Sequence, residues 1–180
     1  MEFEAAVGTV PIRGLSLKPI RIRELVRPDW PDVARIYAEG IATGNATFET
    51  DVPDWDAWDG VHLHHPRLVG TVGGEIVAWA AVAPVSARPV YSGVAEISLY
   101  VSESARGQGI GTTLLGQFIA VADAAGIWTL ETSVFPENEA SLRLLERSGF
   151  RVVGRRERVG QMNGQWRDTL LLERRSEVIQ

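Results

Sequence analysis

Apolar and polar positions alternate along this chain in blocks whose period changes from strand-like to helix-like and back. Ile20 and Ile22 alternate with Arg21 and Arg23, which predicts a first strand with one buried face. Asp29 precedes a helical stretch whose inner face is Val33, Ile36 and Tyr37. Asp32 follows three residues later as an imperfect capping box, and Gly40 lies near the end. A second, weaker helix is expected from Asp54 through Trp58. Two apolar runs, Arg67–Val72 and Glu75–Val85, are joined by Gly73-Gly74, a hairpin signal. Val94–Val101 reads as a further strand. A glycine-rich turn at Arg106–Gly111 then leads into a helix with Leu114, Leu115, Phe118, Ile119 and Ala122 inward and Gly126 at its end. Trp128–Val134 is a strand and Asn138–Arg147 a helix with Gly149 at C′. Arg151–Val159 and Trp166–Glu173 form a last hairpin, with Gly160 and Gly164 in its loop. The order β-α-α-β-β-β-α-β-α-β-β predicts an α+β (α/β mixed-sheet) fold, with helices on the faces of the sheet. Residues 1–18 show no period and contain Gly8, Pro11 and Gly14; they read as an N-terminal extension to a domain spanning 19–175.

The length of 180 residues suits one domain with a real core. A content of 45% hydrophobic and 23% charged residues excludes a disordered chain. The net charge of -5 argues against general nucleic-acid binding, which needs a basic face. Without cysteine there is no disulfide, thiolate metal site or cysteine nucleophile, which fits a reducing cytoplasm. No apolar run approaches the roughly 18 residues of a membrane span, so no membrane role is expected. The acidic start at Glu2 and Glu4 is unlike a secretory signal.

The strongest chemical signal is Arg106-Gly107-Gln108-Gly109-Ile110-Gly111 between a strand and a helix. Glycines let a backbone approach a phosphate and turn consecutive amides toward it, and the following helix adds unpaired N–H groups and a positive dipole end. Such a turn suits a pyrophosphate, although a bare G-x-G-x-G also occurs in ordinary loops. A P-loop requires a lysine after the glycines, and none is present. A dinucleotide fingerprint belongs near the first strand of a βαβ unit with different glycine spacing.

In that context the chain resembles the GNAT acetyltransferase superfamily over residues 20–174. Arg106-x-x-Gly109-x-Gly111 resembles the family's acyl-CoA signature, and Pro136–Ser141 followed by Leu142–Phe150 resembles its next helix. The resemblance is nearest to phosphinothricin, methionine sulfoximine and arsinothricin N-acetyltransferases. It is carried by Ala46–Thr50, Ser86–Tyr91, Glu96–Val101 and Gly164–Thr169, with Trp166–Arg175 most like the arsinothricin branch.

The resemblance implies acetyl-CoA as co-substrate and no metal. The loop amides of Arg106, Gly107, Gln108, Gly109, Ile110, Gly111 and Thr112 would hold the pyrophosphate. The backbone of Leu99 and Val101 would pair with the pantetheine arm, and Asn138 and Ser141 would touch it. Asn138 is also a good N-cap on any account. An ammonium must lose a proton before it attacks a thioester, and Glu96, a carboxylate just inside an apolar strand, is the candidate base. A backbone N–H around Leu99–Val101 is the candidate oxyanion donor.

Arg88 and Tyr91 match positions lining a pocket for an anionic head, Phe48 matches an aromatic that closes it, and Ser98 and Thr169 complete the implied substrate contacts. Ser86 stands where relatives have a lysine and Leu145 where some have a histidine. The tyrosine that many relatives use to protonate the thiolate is missing, with Tyr100 a possible substitute. Coenzyme A thiolate can also leave unprotonated or take its proton from water.

His62, His64 and His65 lack metal-ligand spacing and read as an exposed helix end. Arg155, Arg156 and Arg158 read as the wet face of a strand, with one able to reach the adenosine phosphate. Five tryptophans read as core or interface. A homodimer across the last hairpin is implied by the resemblance. The expected activity is detoxifying acetylation of a glutamate-like antimetabolite, arsinothricin or phosphinothricin. The alternatives are another amine (methionine sulfoximine, a polyamine or a protein N-terminus) and a non-catalytic coenzyme A-binding module.

Overall fold

The structure, a computed structural model, describes residues 19–179. The expected extension at 1–18 lies outside the described residues. The elements are β1 (Ile20–Glu24), α1 (Trp30–Ala42), α2 (Trp55–Val61), β2 (Arg67–Val72), β3 (Glu75–Pro84), β4 (Val94–Val101), α3 (Ile110–Ala124), β5 (Thr129–Val134), α4 (Glu139–Arg147), β6 (Arg151–Met162) and β7 (Gln165–Arg175). The strands form one mixed sheet in the order β1-β2-β3-β4-β5-β7-β6. All neighbours are antiparallel except β4 and β5.

Each face of the sheet carries its own core. On one face Leu114, Leu115, Phe118 and Ala122 of α3 pack on Ile97, Leu130 and Leu172. On the other, Val33, Ile36 and Tyr37 of α1 and Trp58 of α2 pack on Val69, Trp79 and Ala81. The helical period of each inner face supplies these stripes, and burying them is what makes helices of this length stable.

Three local expectations change. Asp29 does not cap α1. Its carboxylate accepts from Arg23 at 2.6 and 2.8 Å and from the Val26 N–H at 2.9 Å, closing a short 3₁₀ turn instead. Arg23, six residues earlier in β1, offers a charged bidentate partner that a cap cannot match. The last hairpin is longer than predicted, and Gly160 lies inside β6 rather than in the loop. The turn is Asn163-Gly164, both with positive φ (51° and 76°), the pairing a two-residue type I′ turn demands. His62 is not simply exposed: it stacks on Trp58 at 4.2 Å, and its Nδ1 lies 2.7 Å from the Trp58 carbonyl oxygen. Beside it, buried Arg67 reaches Asp59, the Leu63 and His62 carbonyls and the Trp58 ring, tying α2 to β2.

Candidate active site

A cleft opens where two strands part. β4 and β5 pair only at Val94–Thr129, Ala95–Leu130 and Glu96–Glu131. Beyond that point β4 stays with β3 as far as Val101, while β5 stays with β7 as far as Val134. The edge of β4 from Ile97 to Val101 therefore has no strand beside it, and its backbone groups are available to a ligand. The gap is a cleft of about 310 Å³. It is walled by Ser98, Leu99 and Tyr100 of β4, by Thr132 and Val134 of β5, and by Asn138 at the start of α4. Leu145, half a turn from the end of α4, gives the cleft an apolar wall continuous with the core.

The turn before α3 sits at the end of β4. Gly107 and Gly109 have φ of 74° and 78°, a region that side chains rarely enter, and Gly109 is the N-cap of α3. Arg106 donates through Nε to the Val101 carbonyl at 3.2 Å, and Gln108 donates through Nε2 to the Ser104 carbonyl at 2.8 Å. Both long side chains are thus tied back, one to the end of β4 and the other to the short turn that follows it. Ile110 is buried in the core, so only its amide can serve a ligand. Gly111 serves packing: a Cβ there would stand 3.3 Å from Leu144 and 3.5 Å from Val101. The first-turn amides of α3, Thr112 among them, have no intrahelical acceptor. The strand edge, the glycine turn and the helix start together fit a pantetheine diphosphate: amide partners along the arm, then bare N–H groups for the phosphates.

Glu96 stands at the vertex, the last β4 residue paired with β5. The residue as a whole is exposed, and it lines the cleft. Burial, then the charge of Glu131, push its pKa above the ordinary carboxylate value, against the opposing pull of Arg156 and a Ser133 backbone hydrogen bond. Glu131 is its register partner, so two like charges face each other across the strands.

Tyr100 is deep in an aromatic stack, 4.8 Å from Trp79 and 4.9 Å from Tyr37. Burial, and then Tyr37, push its hydroxyl well above the ordinary phenol range. Its proton is held hard, and its ring forms part of the cleft wall.

Asn138 is a connector. Its Oδ1 accepts from the Ser141 N–H at 3.2 Å, capping α4, and its Nδ2 donates to the Asn45 carbonyl at 3.0 Å. Arg167 of β7 grips the same loop: its guanidinium donates to the Gly44 carbonyl at 3.2 Å and to Asn45 Oδ1 at 3.0 Å, and lies 4.0 Å over the Phe135 ring. Phe48, which follows in that loop, meets Phe135 edge-on at 4.8 Å and fills the space above Gly160, where a Cβ would come within 2.8 Å of its ring.

Of the residues expected at the site, Glu96, Ser98, Leu99, Tyr100, Phe48, Asn138, Ser141 and Thr169 line one cleft. Val101 packs at the Gly111 end. Arg88 and Tyr91 lie outside it, exposed on the β3–β4 connection, with the guanidinium 5.6 Å over the phenol ring and the Arg88 N–H donating to Ser86 Oγ at 3.2 Å. Sequence reading missed Glu131, which the pattern of β5 presents as an ordinary polar-face residue. It also left Arg167 without a role, although its neighbours carried the resemblance.

The family model for acetyltransferase (GNAT) matches residues 21–150. A phosphinothricin N-acetyltransferase from Alcaligenes faecalis is 32% identical over 159 residues, covering 85% of this chain and 81% of that protein. An L-methionine sulfoximine/L-methionine sulfone acetyltransferase from Pseudomonas aeruginosa is 28% identical over 158 residues, covering 84% and 92%. A phosphinothricin acetyltransferase from Sinorhizobium meliloti, crystallised in complex with acetyl-CoA, shares the fold at a TM-score of 0.76 and 24% identity, covering 89% of this chain and 95% of that one.

Proposed function

This chain belongs to the acetyltransferase (GNAT) family, and we propose that it transfers acetyl from acetyl-CoA to the α-amine of a small glutamate-like antimetabolite. It is an N-acetyltransferase that uses acetyl-CoA as donor. The acceptor is arsinothricin or phosphinothricin, and acetylation removes the amine on which such a mimic depends. The observation that carries this reading is the parting of β4 and β5 immediately beyond Glu96, with the Gly107–Gly109 turn at the other end of the gap. Named relatives that act on phosphinothricin and methionine sulfoximine support the substrate class.

Acetyl-CoA supplies the acyl group as a thioester. The amides of the turn from Arg106 to Thr112 hold its diphosphate, and the free edge of β4 at Leu99 and Val101 holds the arm, with Asn138 and Ser141 beside it. Glu96 takes the ammonium proton, directly or through a water, and its raised pKa matches that task. The freed amine attacks within the ternary complex, with no covalent enzyme intermediate. A β4 amide between Leu99 and Val101 stabilises the oxygen that gains charge. Burial raises the Tyr100 hydroxyl and makes it a weak acid, so the thiolate leaves as such or is protonated by water. Phe48, Ser98 and Thr169 border the acceptor, and Arg88 with Tyr91 takes its distal anionic head.

The exposed Val152, Val153, Val159 and Trp166 of the β6–β7 hairpin support a homodimer through that hairpin, readable by light scattering. We place the enzyme in the cytoplasm, where its acyl donor is made. The test of function is release of coenzyme A thiol with arsinothricin, phosphinothricin, methionine sulfoximine, glutamate and spermidine in parallel. Turnover on the first two but not on spermidine is expected, with Glu96→Gln slower by about 10²- to 10⁴-fold. Silence on every amino-acid analogue refutes the substrate assignment, and unchanged turnover by Glu96→Gln removes the base.

A further inference from the structure

Strand register places a cation on the face of the sheet that carries the proposed base. Glu96 pairs with Glu131, Glu131 with Glu173, and on the next strand Thr169 pairs with Arg156. Thr169 and Glu173 are an even number of residues apart on β7, and register partners share a face, so all five side chains belong to one face of the sheet. On β6 the neighbouring arginines are committed: Arg151 to Glu173 and Arg155 to Asp168. Arg156 has no ion pair or side-chain hydrogen bond among the described residues, yet its charge acts on Glu96. Thr169 lines the cleft, is 3% exposed, and its hydroxyl has no hydrogen-bond partner.

An α-amino acid carries its amine and its carboxylate on the same carbon. A site for it must therefore set a proton acceptor and a cation a few ångströms apart, close enough to share one ligand without collapsing into an ion pair. Arg156 is the register partner of the cleft residue Thr169, and its charge acts on Glu96 with no ion pair between the two. A polyamine would meet Arg156 as a like charge.

We infer that Arg156 and Thr169 form the subsite for the α-carboxylate of the acceptor, on the sheet face that carries Glu96; this rests on the amino-acid acceptor proposed above. Arg156 supplies the forked cationic donor set that a carboxylate matches. Thr169 supplies the hydroxyl that lacks a partner, reached by rotation about its Cα–Cβ bond. Arg88, outside the cleft, is left to the distal head.

The experiment compares wild type, Arg156→Gln, Arg156→Lys and Thr169→Val on an accepted amino acid and on its α-methyl ester. Arg156→Gln is expected to raise KM for the free acid about tenfold or more and to leave the ester within about twofold, with KM for acetyl-CoA unchanged. Arg156→Lys restores part of the loss, and Thr169→Val shows the same acid-selective effect more weakly. Equal losses on acid and ester, or no loss on either, overturn the subsite while leaving the acetyltransferase reading intact. Wild-type silence on every amino acid refutes the acceptor class and this subsite with it, before any variant is made.

Discussion

The same substitution should have opposite effects in two helices. Gly40 in α1 and Gly116 in α3 are both helical glycines, and replacing either with alanine gains about 1 kcal/mol of intrinsic helix propensity. At Gly116 a new Cβ meets nothing within 4 Å, so the gain stands. At Gly40 it would lie 2.6 and 2.7 Å from two ring carbons of Tyr100. The ring would have to retreat by almost an ångström, and it is backed by Trp79 at 4.8 Å and Tyr37 at 4.9 Å. Overpacking of that kind costs about 1–3 kcal/mol, which outweighs the propensity gain and leaves a net loss of up to about 2 kcal/mol. For a chain of this size, about 2–4 °C of Tm accompanies each kcal/mol. Thermal unfolding followed by circular dichroism should therefore show Gly116→Ala raised by about that amount and Gly40→Ala lowered by several degrees. Tyr100 also walls the cleft, so Gly40→Ala should raise KM for acetyl-CoA while Gly116→Ala leaves it alone. A Gly40→Ala protein that matches the gain of Gly116→Ala would refute the close approach of α1 to Tyr100.

Three further outcomes can be checked. Glu131→Gln removes the like charge opposite Glu96; a base works deprotonated and fails as pH falls through its pKa, so the acid limb of the kcat/KM profile should move to lower pH, and an unmoved limb counts against the pairing. Gly109→Ala forces a side chain into φ of 78° at the start of α3 and should weaken acetyl-CoA binding by calorimetry with a stability loss of about 1–2 kcal/mol; unaltered affinity would place the diphosphate elsewhere. Arg167→Met keeps contact with Phe135 but releases Gly44 and Asn45, so KM for the amine should rise about tenfold with kcat nearly unchanged, whereas a loss confined to Tm would make the clamp purely structural.

Local chemistry was enough to set most of the elements. The alternation of Ile20 and Ile22, the Gly73-Gly74 turn, the inner stripe from Leu114 to Ala122 and the cap at Asn138 each depend on neighbours within a few residues, and each lies where its pattern puts it. The glycine turn at Arg106–Gly111 was legible for the same reason: its positive φ angles are a property of the turn itself. Where local signals competed, long-range partners won. Asp29 gave up a helix cap for Arg23, and Gly160 lies within β6, where its missing side chain leaves room for Phe48.

What the sequence by itself could not determine is the pairing across strands. That Glu96 faces Glu131, that β4 and β5 separate just past them, and that Arg156 shares their face with Thr169 all follow from register between segments up to about sixty residues apart. Side-chain alternation tells which residues share a face within one strand, but only the packed sheet fixes which of them meet, because register is set jointly by turns, bulges and both cores. The coenzyme turn could therefore be read from the chain, whereas the electrostatics around the base, and the cation that shares its face, were decided by tertiary structure alone.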